Sequence, residues 1–193
     1  MNCPFCQNAV KAAAPECPEC RLNFPRTRTL LGALPRFSLG VADHTNLLSD
    51  AAIKKLKARI MKIQGRFPQL VLQIFMQSFS LEYPFSLHAF WLLNAANFAG
   101  SANRGKDSHT LLIVVDPQRR ESAIIPGYGF ESLLGPEALG HLLDLAGPAW
   151  AGQRWADGLN QILDGLEPLL ESAARCIPTP QTVAGDSNKH QRL

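Results

Sequence analysis

The sequence lacks several features that would place it in a class at once. Its start has no basic stretch followed by an apolar run, so no secretory signal is visible. Its longest charge-free stretch, residues 83–103, contains His88, Asn94, Asn97 and Gly100, which is typical of a buried helix rather than of a membrane span. We therefore expect a cytoplasmic protein without a membrane span.

Signatures of common enzyme classes are missing as well. The sequence has no phosphate-binding glycine loop, no Ser-His-Asp arrangement, no nucleophilic cysteine motif and no histidine-rich metal cluster. Its 46% apolar and 18% charged residues are values of a globular chain with a core to bury. The length suits one medium domain with a small attachment. These features favour a binding module over an enzyme.

The strongest chemical signal is a pattern of four cysteines within residues 1–25, where Cys3, Cys6, Cys17 and Cys20 form C-x2-C-x10-C-x2-C. Two residues between cysteines let one tight knuckle present both sulfurs to one ion, and ten residues suffice to link two knuckles. The pattern predicts a zinc ribbon with a closed, structural site. Iron uses the same four thiolates, so the sequence leaves the metal open between the two.

Disulfides are the other use of paired cysteines, and they would need an oxidising compartment. The missing export signal argues against them. Four thiolates and a zinc ion would also lower the formal net charge from +3 to +1. The basic isoelectric point therefore overstates any affinity for polyanions.

The segment after the ribbon, residues 26–38, is predicted to be a linker, because it mixes prolines, threonines and arginines without a lasting period. A helix is predicted over residues 49–66, with Ser49 as its N-cap. Four apolar side chains recur along this helix at intervals of three and four: Ile53, Leu56, Ile60 and Ile63.

The remaining faces of this helix are basic. No acidic residue occurs between Asp50 and Glu82. Such a surface is either a solvated face or a docking face for an acidic partner. Nucleic-acid binding through the ribbon and this helix is a third interpretation, but no basic run interleaved with aromatics supports it, and we expect no nucleic-acid partner. Six cations form the basic surface: Lys54, Lys55, Lys57, Arg59, Lys62 and Arg66.

Three strands are predicted, over residues 70–77, 110–115 and 122–126. A helix over residues 84–98 connects the first two strands, and a strand–helix–strand crossover implies parallel pairing. The Asp-Pro dipeptide after the second strand opens a tight turn, which predicts a hairpin with the third. Helices on both sides of this small mixed sheet give an α/β fold, a three-layer α/β/α sandwich preceded by the zinc ribbon.

Two more helices and a tail complete the predicted order. The first helix covers residues 136–146 and is broken after that by Pro148. The second covers residues 153–174, where Pro168 is expected to make a kink or a break. Residues 175–193 are polar and aperiodic, and we predict a disordered tail.

The hairpin brings residues 105–109 and 127–131 to the same end of the sheet. Each of these loops carries glycine and a carboxylate. Asp107 and Glu131 are hard oxygen ligands, suited to Ca²⁺ or Mg²⁺. The sequence therefore predicts a candidate cation site at this rim, and the alternative is that the two carboxylates cap turns and helix ends.

These loops also resemble a known family. The letters GKD at residues 105–107 and GYG at residues 127–129 match the pattern of the TPM domain, and Glu131 matches as well. Phe130 replaces the usual leucine. The resemblance runs from about residue 39 to about residue 174, which is most of the chain.

The resemblance implies an α/β/α sandwich. It also implies activities proposed for the family: divalent-metal binding and a weak acid-phosphatase activity in some members, and accessory or assembly roles for membrane complexes in others. Asp43 matches the family's leading aspartate and joins the candidate ligands, although simple geometry places it near the opposite end of the sheet. Ser108 and His109 replace the Asn-Gly that commonly follows the aspartate, so this loop loses that glycine and an amide oxygen.

The sequence as a whole favours a zinc-ribbon protein with a TPM-like domain (residues 39–174), acting as a binding or accessory module for a protein partner. The runner-up is a metal-dependent acid phosphatase, in which Asp107 holds the metal while Lys106 and Arg104 contact the phosphate. Nucleic-acid binding is the third interpretation.

Overall fold

The computed structural model describes residues 2–11, 14–96, 109–131 and 133–176 of the chain. Within these residues, helices and strands alternate in an α/β arrangement. The elements in chain order are α1 (Phe24–Leu31), β1 (Val41–Asp43), α2 (Asp50–Arg66), β2 (Val71–Met76), α3 (Phe85–Ala95), β3 (Thr110–Asp116), β4 (Glu121–Pro126), α4 (Pro136–Ala151) and α5 (Trp155–Cys176).

The strands form one mixed sheet in the order β1-β2-β3-β4. β1, β2 and β3 are parallel, and β4 pairs antiparallel to β3. Ile74 pairs with Val41 on one side and with Ile113 on the other. The predicted mixed sheet, crossover helix and hairpin are confirmed. β1 is not among the predicted strands, because a strand of three residues is too short to show an alternating pattern.

β2 and β3 form the centre of the sheet, and every residue of both strands is buried. One face packs against α2, α4 and α5, and the other packs against α3. The first face contributes Leu72, Ile74, Met76, Leu111, Ile113 and Val115. The second face contributes Val71, Phe75, Leu112 and Val114. This arrangement is the predicted three-layer sandwich.

The start of α2 is as predicted, since the Ser49 side chain accepts a hydrogen bond from the Ala52 backbone N–H at 3.2 Å. The predicted linker, in contrast, contains most of α1. The Asn23 side chain caps this short helix by accepting from the Arg26 N–H at 2.9 Å. Only Thr27 of α1 is buried, so no apolar period marks the helix in the sequence.

The break expected at Pro148 is wrong, because α4 runs through it, and α5 likewise runs through Pro168 without a break. A proline inside a helix removes one hydrogen bond and crowds the preceding turn. The residues beyond each proline remain helical and bury apolar side chains, among them Ala149 and Leu170. Packing of the two helices therefore outweighs the local cost of proline.

No helix of the described residues combines the length and the apolar content that crossing a bilayer requires.

The packing between α4 and α5 gives a test of this fold. A Cβ added to Gly158 would overlap the indole ring of Trp150. We expect Gly158→Ala to lower the free energy of unfolding by about 1–3 kcal/mol through overpacking, measured by urea denaturation. Gly147→Ala is the matched control, because a Cβ there meets nothing within 4 Å and should leave stability unchanged or raise it by about 0.5–1 kcal/mol. Equal stability of the two variants would contradict the packing.

Candidate metal centre

The first cysteine pair lies in a tight knuckle closed by two backbone hydrogen bonds. The Cys3 N–H donates to the Asn8 carbonyl at 2.8 Å, and the Gln7 N–H donates to the Cys3 carbonyl at 3.0 Å. Gln7 has a φ of 63°, a left-handed conformation that is uncommon outside glycine. This turn directs the Cys3 and Cys6 side chains toward one point.

The second pair repeats this backbone. The Cys17 N–H donates to the Leu22 carbonyl at 2.9 Å, and the Arg21 N–H donates to the Cys17 carbonyl at 2.8 Å. Arg21 has a φ of 56°, at the position equivalent to that of Gln7 in the first knuckle. The two C-P-x-C segments therefore form equivalent knuckles.

The two knuckles bring all four sulfurs together. Sγ of Cys3 lies 3.6 Å from Sγ of Cys20, and Sγ of Cys6 lies 3.6 Å from Sγ of Cys17. All four ligand atoms lie within 4.8 Å of one another. Sulfurs at the corners of a tetrahedron around a zinc ion are about 3.8 Å apart, given a Zn–S distance of about 2.3 Å. The arrangement therefore fits a metal ion such as zinc.

The surroundings of the sulfurs affect their charge differently. The backbone N–H of Asn8 lowers the pKa of the Cys6 thiol to about 7. Burial raises the pKa of the Cys20 thiol to about 12, because a thiolate loses solvation there. A cation beside Cys20 offsets that cost. Since the ligands are thiolates, metal binding releases protons, and the metal affinity must fall as the pH falls.

The predicted rim ligands are only partly within the described residues. The loop after β4 continues the hairpin, since the Gly127 N–H donates to the Thr110 carbonyl at 2.7 Å. Glu131 follows in this loop and is exposed. Asp107, together with Lys106 and Arg104, lies outside the described residues.

Asp43 lies at the opposite end of the sheet from Glu131, because β1 ends beside Met76 at the carboxyl end of β2. Its two carboxylate oxygens hold the turn before α2. Oδ1 accepts from the Thr45 N–H at 2.8 Å and from the Thr45 hydroxyl at 2.5 Å, and Oδ2 accepts from the Leu48 N–H at 2.9 Å. The structure therefore does not bring Asp43 and Glu131 together.

Asp116, at the same carboxyl end, was predicted only as a turn residue. It is fully buried. Its Oδ1 accepts from the N–H groups of Gln118 and Arg119 at 3.0 and 3.1 Å, and its Oδ2 accepts from the Phe79 N–H at 3.0 Å. The Arg119 guanidinium lies 3.4 Å away. Asp116 therefore fixes the hairpin turn to the loop that follows β2.

An apolar cavity of about 300 Å³ lies beside the rim, between the end of α2, the loop after β4 and the end of α5. Among the described residues, its lining is mainly apolar, with Arg66 and Gln69 also lining it. Its walls come from segments far apart in the chain, so no pattern in the sequence predicts it. Its apolar lining includes Phe67, Leu70, Phe130, Leu133, Leu170 and Ala173.

The basic helix α2 divides its cations into two groups. Arg59 forms ion pairs with Asp164 and Glu167, and Arg66 with Glu167 and Glu171. The three acids lie on α5, so this part of the basic surface is neutralised within the chain. The lysines of α2 form no ion pair within the described part of the chain. Three of them are exposed: Lys54, Lys55 and Lys62.

The metal centre can be tested by elemental analysis of the purified full chain, which also distinguishes zinc from iron. We expect one metal ion per chain, lost in Cys17→Ser because three thiolates cannot close the tetrahedron. Cys176→Ser is the matched control and should keep the ion. An unchanged metal content in Cys17→Ser would contradict the site.

The role of Asp43 can be tested by its effect on stability. Asp43→Ala leaves two backbone N–H groups without their acceptor, and we expect it to lower the free energy of unfolding by about 2–3 kcal/mol. Glu131→Ala removes an exposed carboxylate and should change stability by less than about 0.5 kcal/mol. Thermal denaturation of both variants measures the difference. An unchanged stability of Asp43→Ala would show that the turn does not depend on this carboxylate.

Comparison with known proteins supports the fold and its family. The model of the TPM domain matches residues 41–168. The structure of an N-terminal domain of a protein from P. gingivalis is similar, with a TM-score of 0.55 and 20% identity over 70% of this chain and 83% of that one. The N-terminal domain of the cg2496 protein from Corynebacterium glutamicum has a TM-score of 0.50 and 18% identity, over 84% of this chain and 94% of that one.

At these identities the two solved structures support the fold alone. A comparison with curated proteins gave no match. The family match covers more than half of the chain, including the sheet, α2, α3 and most of α5. The chain therefore belongs to the TPM domain family.

Proposed function

We propose that this chain is a binding module. In this proposal a zinc ion holds the cysteine ribbon together, and the TPM domain docks an acidic protein partner on the lysine face of α2 (Lys54, Lys55 and Lys62). The observation that carries the proposal is the division of cations on α2: the arginines form ion pairs with α5, and these lysines form none with the described residues.

The metal centre supports a structural role for zinc. Four cysteines complete the tetrahedron, so no position is left for a substrate or an activated water. Thiolate ligands and the four-sulfur geometry suit zinc well.

The hydrogen bonds of Asp43 and Asp116 also favour binding over catalysis. Asp43 and Asp116 accept hydrogen bonds from backbone N–H groups through both of their oxygens. A carboxylate with these partners stabilises a turn. Glu131 is exposed and stands apart from both.

The contact between α2 and α5 indicates what partner the lysine face fits. Arg59 and Arg66 are seven residues apart and meet carboxylates spaced three and four residues apart on α5. Lys55 and Lys62 have the same spacing of seven residues, on the exposed side of the helix. An acidic helix with carboxylates at such intervals therefore matches the lysine face.

One exposed apolar residue lies within this basic surface. Met61 is 66% exposed and falls on the same side of the helix as Lys54. An apolar contact of this kind gives a partner more than charge to bind. The chemistry expected of the partner is thus an acidic helix with at least one apolar side chain between its carboxylates.

Binding of a synthetic amphipathic helical peptide, with glutamates seven residues apart, tests this surface. We expect the triple variant Lys54→Gln, Lys55→Gln, Lys62→Gln to bind it about tenfold more weakly, because each exposed ion pair contributes up to about 1 kcal/mol. Added salt should weaken the wild-type complex. Fluorescence anisotropy of a labelled peptide measures both effects.

The matched control is the triple variant Lys11→Gln, Arg28→Gln, Arg36→Gln, which removes the same charge from exposed positions elsewhere. An equal loss of affinity in both triple variants would mean that net charge alone attracts the peptide. Tighter binding of single-stranded DNA than of the peptide would favour the nucleic-acid interpretation instead.

The cation site at the rim stays a prediction, and a separate experiment tests it. Calorimetric titration with Ca²⁺, Mg²⁺ and Mn²⁺ should detect binding that Glu131→Ala and Asp107→Ala both weaken, if the rim holds a cation. A phosphomonoester assay belongs beside it. Metal-dependent turnover that is lost in Asp107→Ala would favour a phosphatase and overturn the proposal of a module without catalysis.

A further inference from the structure

α3 is apolar on both of its sides and has no charged side chain. One side, with Phe85, Ala89 and Leu92, packs on the sheet. A helix that covers one face of a sheet normally has a polar opposite side, because that side meets water. In α3 the opposite side carries Leu87 and Trp91, and both are buried. Something other than the sheet must therefore cover this side.

The cysteine ribbon and α1 are the cover. Leu87 has no exposed surface and packs in one cluster with Cys3, Cys17 and Leu22. The ring of Phe24, the first residue of α1, lies 5.1 Å from the ring of Trp91. The apolar side of α3 is thus covered by the segment with the metal ligands at Leu87 and by α1, which follows that segment, at Trp91.

Polar contacts fix the cover in place, and they come from the first knuckle itself. The Ser86 hydroxyl donates to the Pro4 carbonyl at 2.6 Å, and the Gln7 side-chain amide donates to the Ser86 hydroxyl at 3.0 Å. Pro4 directly follows Cys3 in the sequence, and Gln7 directly follows Cys6. The shape of the knuckle therefore decides whether these contacts can form.

We infer that metal occupancy of the cysteine ribbon controls the cover on α3, an inference that rests on the proposed structural zinc. A segment this short cannot fold around its own core without a metal. Its knuckles also hold Gln7 and Arg21 at positive φ, which the backbone leaves when nothing constrains it. Loss of the metal then releases Pro4 and Gln7 from Ser86 and exposes the side of α3 that contains Leu87 and Trp91.

The coupling works in both directions, because linkage between two equilibria is reciprocal. If the metal favours docking of the ribbon on α3, then docking on α3 must raise the affinity for the metal. Residues of α3 that do not coordinate the metal should therefore still affect the zinc affinity. Ser86 is such a residue, and it lies more than sixty positions away from the last cysteine ligand in the sequence.

Zinc affinity of Ser86→Ala, measured on the full chain by competition with a chelator, tests this coupling. We expect an affinity about tenfold weaker than that of the wild type, since two hydrogen bonds of the docked state are lost. Ser172→Ala, an exposed serine on α5, is the matched control and should bind zinc like the wild type. Unchanged zinc affinity in Ser86→Ala would overturn the coupling.

Hydrogen exchange of the wild-type chain gives an independent readout. On addition of a chelator, we expect exchange in the ribbon and α1 to rise at least tenfold and exchange in α3 to rise with it, while β2 and β3 stay protected. Faster exchange in the ribbon alone, with α3 unchanged, would overturn the inference but leave the zinc site intact. A chain that takes up no zinc would overturn the zinc site itself, so the two failures are distinguishable.

Discussion

The two-sided burial of β2 and β3 is the constraint on which the rest of this structure depends. Strands that are apolar on both faces need a helical layer on each side, because neither face can meet water. α2, α4 and α5 supply one layer, and α3 is the one helix of the described residues that packs on the other face, where Phe37 and Phe79 join it. α3 itself is apolar on both its sheet-facing side and its outer side, where Leu87 and Trp91 are buried. The outer side of α3 must therefore also be covered, and the cysteine ribbon and α1 cover it.

On the other side of the sheet, the charges of α2 are divided between ion pairs with α5 and the exposed surface. α2 packs its apolar stripe on the sheet and has cations on all its remaining sides. The side toward α5 is neutralised by a row of acids, and the outer side is left to solvent or to a partner. Exposed ion pairs of this kind add little stability. Their value is in orientation, since two arginines and three acids fix how α5 lies along α2.

Carboxylates near the carboxyl ends of parallel strands often indicate a site, because ligands bind at that edge in many α/β folds. Here Asp43 and Asp116 lie at that edge, and both accept hydrogen bonds from backbone N–H groups. Each one ties a turn to a neighbouring segment through several N–H groups. The same residue type thus serves local structure, and only its hydrogen-bond partners reveal which role it has.

The sequence by itself determined the metal knuckles, the buried strands, the crossover helix, the hairpin and the Ser49 cap. Each of these depends on residues close together in the chain, whose spacing and periodicity reflect the local backbone geometry. Tertiary structure decided the rest. The three-residue strand β1 exists only by pairing with β2, and α4 and α5 continue through Pro148 and Pro168 only because their packing outweighs a local cost. Which cations of α2 are neutralised, and which helix the ribbon covers, depend on contacts between distant segments that no local pattern encodes.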